Sequence, residues 1–90
     1  MKTIWKYPCP MQDNFTLIIP VGARFLSLHT QYGNPCLWFL VDDWAPTQPR
    51  HFLVRETGQQ LPPQKLTFLG TCLIHGDSLV LHVFEEAPCA

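Results

Sequence analysis

The chain has 90 residues, enough for one domain over 1–90 and too few for two, and a chain this short buries only somewhat over half of its unfolded surface. Charged residues make up 14% of it, against roughly 25% in an average soluble domain, so apolar groups must show on the surface. Six Lys or Arg against seven Asp or Glu leave a formal net charge of -1, which excludes the basic excess that wraps a nucleic-acid backbone, and duplex nucleic acid with it.

Nine prolines and five glycines cut the sequence into short apolar runs, and none has the caps and 3.6-residue period of an amphipathic helix. In chain order the predicted strands are Thr3 to Tyr7, Phe15 to Ile19, Arg24 to Gln31, Cys36 to Asp42, His51 to Glu56, Leu66 to His75 and Ser78 to Glu85. Turn residues bound each of them: Pro8 and Pro10, Pro20 and Gly22, Tyr32-Gly33-Asn34-Pro35, the loop Trp44 to Pro49, the loop Gly58 to Gln64, and Gly76-Asp77. The expected fold is all-β with little helix, a meander of about seven short strands curling into a small antiparallel sandwich or partly open barrel. Within it, Cys36 to Val41 is apolar at every position, which fits a central strand covered on both faces, or one with a face buried in a partner.

The last predicted hairpin brings two histidines and a cysteine close in sequence. A Gly76-Asp77 turn sets His75 opposite Ser78, Leu73 opposite Val80 and Thr71 opposite His82. Thr71, Leu73, His75, Ser78, Val80, His82 and Phe84 then share one face, while Cys72, Ile74, Leu79, Leu81 and Val83 share a core face. His75 and His82 lie roughly 13 Å apart along such a ladder, too far to grip one zinc ion. No metal or cofactor is expected. His82 is the residue on that face most suited to a contact, although a partly solvated wall is the favoured reading of the face.

Elsewhere, Arg50 falls on one side of its strand and His51 with Arg55 on the other. The latter two could hold a phosphate through a guanidinium fork and an imidazole donor, or could protect an exposed edge. Of Trp5, Trp38 and Trp44, Trp38 is expected to pack in the core and Trp44, on a loop, to anchor an interface. Adjacent Asp42 and Asp43 point in opposite directions on a strand and suit loop solvation better than joint chemistry. No nucleophile with a base, and no phosphate loop, is recognisable, so the chain is not expected to be an enzyme. Lacking an export signal or a membrane-length apolar run, it is expected in the cytosol, with Cys9, Cys36, Cys72 and Cys89 as reduced thiols.

Met1 to Tyr7, Gly22 to Leu28, Pro35 to Asp42, Thr57-Gly58 and Leu79 to Glu85 together resemble a family of small proteins of unknown function encoded by tailed bacteriophages and prophages, over nearly the whole chain. The resemblance implies a binding role in the bacterial host cytoplasm: antagonism of host defence, by sequestering a nucleotide-derived immune signal or by covering a host defence protein, with a virion-associated role as a third possibility. A homo-oligomer is expected. For a nucleotide ligand the candidate residues are Arg50, His51, Arg55 and His82 at the phosphates and Trp44 against the base.

Overall fold

The computed structural model describes residues 1–87. Seven antiparallel strands form two sheets: β1 (Lys2–Pro8), β2 (Asn14–Pro20), β3 (Arg24–Gln31), β4 (Asn34–Asp42), β5 (Thr47–Glu56), β6 (Leu66–Ile74) and β7 (Leu79–Glu86). There is no helix among the described residues. The three-stranded sheet has the order β1-β4-β3 and the four-stranded sheet β2-β5-β7-β6, and neither closes into a barrel. The fold is therefore the all-β sandwich that the strand pattern predicts. It is not a simple meander. Only β3–β4 and β6–β7 pair as sequential hairpins, and β1 and β2 pair with strands far along the chain.

The core lies between the sheets and is built by alternation. Leu37, Phe39 and Val41 of β4 face Phe52 and Val54 of β5, Phe15 and Ile19 of β2, and Leu81 and Val83 of β7. Phe39 is its centre: the rings of Tyr7, Phe25 and Phe52 meet it edge-on at 5.8, 5.7 and 6.3 Å, and Phe15 stacks on Phe52 at 5.1 Å. Two bulges adjust the alternation. The pairing of β3 with β4 slips between Phe25 and Ser27, so Phe25 and Leu28 both reach the core although three residues apart, and Leu26 is turned out. The slip between Phe68 and Gly70 does the same for Leu69 and Cys72 on β6. Gly70 lies against Leu28, where a Cβ would come within 3.4 Å of the Leu28 Cδ2.

The turns follow local chemistry. Tyr32 and Gly33 both take positive φ (52° and 79°), giving the type I′ geometry whose twist matches a two-residue hairpin, so Asn34-Pro35 joins β4 instead of the turn. The β6–β7 hairpin has the register expected from Gly76-Asp77: Leu73 opposite Val80 and Thr71 opposite His82. β5 begins at Thr47, four residues before the expected start. Its first half pairs only with β2, and a proline is tolerated at position 49 because no strand on the other side needs its missing N–H.

β5 and β6 run parallel on either side of β7, so the connection 57–65 must travel from the Glu56–Leu81 end of the sheet to the Leu66–Glu86 end. Gln60 O accepts from Arg55 Nε (3.4 Å), Gln64 Nε2 donates to Glu86 Oε1 (2.7 Å) and Ala87 N donates to Lys65 O (3.0 Å). Leu53 belongs to the outward side of β5, since Phe52 and Val54 face the core, yet it is 1% exposed. The outer face of the four-stranded sheet is closed over there.

Candidate docking face

The five residues singled out from sequence stand in three places. Arg50 points into the sandwich. Its Nε and Nη2 donate to Glu85 Oε2 and Oε1 (2.5 and 2.7 Å), its Nη1 donates to Ala23 O (2.6 Å), and its guanidinium lies 5.3 Å from the centroid of Phe39. This is a bidentate clamp between β5, β7 and the segment entering β3, with its charge and donors engaged. His51, Arg55 and His82 lie on the opposite, outer side of their sheet, and Arg55 is directly across from His82. Arg55 donates to the carbonyls of Asp13 (2.7 Å), Val54 (2.9 Å) and Gln60 (3.4 Å), so it ties the β1–β2 loop and the 57–65 crossing to β5. His82 exchanges hydrogen bonds with Thr57 through Nε2 and with Thr71 through Nδ1, both 2.8 Å, and His51 does so with Thr16 through Nδ1 (2.9 Å). Trp44 stands at the far end of β4, 86% exposed, on a turn held by donation from its own N–H to Asp42 Oδ1 (3.1 Å). That bond holds the Asp42 carboxyl below its ordinary pKa.

A groove of about 570 Å³ opens beside the half of β5 that has no β7 neighbour, and it brings Arg50 and His51 together with Lys65, Glu85 and Glu86. Its cations are matched by carboxylates. Arg50 already belongs to Glu85, so the groove offers an anion no concentrated positive field.

The other sheet differs. On the outside of β1-β4-β3 the register sets Ile4 opposite Leu40, Lys6 opposite Trp38, and Arg24 on the other flank of Leu40. Ile4, Leu26, Ser27, His29 and Trp38 line a shallow concavity of about 310 Å³, with Ile4 58% and Leu26 39% exposed. The rings of His29 and Trp38 meet edge-on at 6.4 Å. Sequence reasoning places Trp38 in the core, but Phe39 takes the inward position and alternation turns Trp38 out. The signal was the unbroken run Cys36 to Val41, in which Trp38 and Leu40 face away from the core and are left half-buried without a covering element. Of its two faces, β4 buries one in the core.

The described residues thus form a two-layer β sandwich with one apolar, uncovered sheet face. By sequence, the chain belongs to the DUF7352 family, a domain of unknown function, whose signature spans residues 1–89. No curated protein and no solved structure matches it.

Proposed function

We propose that this is a non-catalytic binding protein of phage origin that works by covering part of a bacterial defence protein with the outer face of β1-β4-β3. The observation that carries this reading is the apolar concavity of Ile4, Leu26 and Trp38, laid out on a rigid sheet with nothing of the described chain packed over it. Three strands about 23 Å long and ~4.8 Å apart present a flat area of roughly 300 Å². A standard contact takes about 800 Å² from each partner, so the partner reaches past the sheet. Trp44 stands at the Lys2–Asp42 end of the same sheet and extends the contact there.

Sequestration of a nucleotide signal is the second reading, and it has less behind it. Arg50, Arg55 and His82 each make hydrogen bonds within the fold, and Trp44 follows β4, which is in the other sheet from Arg55 and His82. Self-association is compatible with the proposal where it uses the β6 side, on which Phe68 and Leu73 are exposed.

Affinity capture from bacterial lysate, run side by side with wild type, Trp38→Ser, Trp44→Ala and Phe68→Ser, tests the proposal. It expects one dominant protein that Trp38→Ser loses, by 30-fold or more in retained amount, and that Phe68→Ser keeps, in line with truncation of a central aromatic anchor. Equal recovery by wild type and Trp38→Ser rejects this face.

A further inference from the structure

We infer that the surface recognised by the outer face of β1-β4-β3 is an acidic protein surface, an apolar projection ringed by carboxylates; this rests on the docking role proposed for that face. The basis is the way a nearly neutral chain distributes its charge. The protein has six Lys or Arg in all. Lys2, Lys6 and Arg24 stand on this one face, around Ile4, Leu26, Trp38 and Leu40, with His29 beside Trp38. Of the other three, Arg50 is held by Glu85, Arg55 by backbone carbonyls, and Lys65 lines the groove with Glu85 and Glu86. Five of the seven acids lie elsewhere: Asp13, Glu56, Asp77, Glu85 and Glu86 belong to the four-stranded sheet and its loops. Asp42 and Asp43 sit at the Lys2 end of the face, away from Lys6 and Arg24: Asp42 lies across from Lys2 and accepts from the Trp44 N–H, and the two carboxylates lie 3.5 and 3.2 Å from the Met1 ammonium.

A face with an apolar centre and a basic rim selects its partner by complementarity of potential. Two copies meeting through it about a two-fold axis would bring two basic-rimmed faces together, so a second copy is disfavoured. Single-stranded nucleic acid has the right charge but needs a series of rings for successive bases. The concavity offers one indole, one imidazole and aliphatic walls. Aliphatic walls around one aromatic suit a Leu, Ile or Phe side chain projecting from a partner, with Asp or Glu beside it to meet the rim.

The test is a nuclear magnetic resonance titration of the full chain with three probes: a twelve-residue peptide with a central Leu-Phe-Ile flanked by Glu on both sides, the same peptide flanked by Lys, and a dT12 oligonucleotide. The inference expects shifts of Ile4, Leu26 and the Trp38 indole with the acidic peptide. Apparent affinity should be at least tenfold above that for the basic peptide and should fall at least fivefold between 50 and 300 mM salt. Lys6→Glu and Arg24→Glu should each weaken it, with the fold checked by an otherwise unchanged spectrum. Equal binding of both peptides at these residues overturns the acidic partner while leaving the docking face standing. Tighter binding of dT12 there overturns a protein partner in favour of a nucleic acid. Concentration-dependent shifts of the same residues without any probe mean that a second copy occupies the face, and shifts elsewhere or none at all overturn the face itself.

Discussion

Cys9 shows how far one side chain is governed by burial. It is in the core near Cys36 and Cys72, and burial, reinforced by those two thiols, pushes its pKa up to about 12 from an ordinary 9.0. Burial also raises Cys72. A group whose native pKa is raised gives stability that is fully present below the unfolded value and lost as pH climbs to the native one, so the window runs from about 9 to about 12. Denaturant titrations in reductant should show stability falling by roughly 1 kcal/mol per pH unit across that window. Cys9→Ala should flatten the slope, and an unchanged slope would contradict a buried, un-ionised thiol. The three described thiols are free, as the sequence suggests, and Cys89 lies outside the described residues. Residue type thus carried the chemistry of the cysteines. It did not carry direction: Trp38 and Phe39 are adjacent aromatics, and only the register of β4 tells which one faces the core.

Strands were the most legible elements, because period-2 alternation and Gly or Pro boundaries are local signals. The β6–β7 register followed from the Gly76-Asp77 turn alone. What local pattern could not show were the two bulges, the early start of β5 and the crossing at 57–65, since each depends on which strand lies alongside. The Arg50 clamp belongs to this class: Arg50, Glu85 and Ala23 are distant in sequence and meet only because β5 pairs with β7 and the chain enters β3 above them. A lysine cannot reproduce the fork and cannot serve the two carboxylate oxygens and the carbonyl together. Arg50→Lys should therefore cost about 2 to 3 kcal/mol in equilibrium unfolding, while Arg50→Met with Glu85→Leu should recover most of it, since removing both charges leaves none buried and unpaired. A cost below about 0.5 kcal/mol for Arg50→Lys would place the pair among surface bridges of little consequence.

For the molecule as a whole, the low charge content foretold exposed apolar surface without saying where. The answer comes from topology. Leu53 is closed over on the outer side of the four-stranded sheet, while the three-stranded sheet leaves Ile4, Leu26 and Trp38 open. The same arrangement gathers Lys2, Lys6 and Arg24 on the open side, a segregation invisible in a net charge of -1. Both features require pairing of β1 with β4, strands some thirty positions apart, and no window of sequence contains that information. Hydroxyl-radical footprinting of the protein, free and after incubation in bacterial host lysate, tests this assignment at its centre. Ile4, Leu26 and Trp38 should lose labelling in the lysate while Phe68 and Leu73 keep theirs; protection of Phe68 and Leu73 with Trp38 still labelled would contradict it.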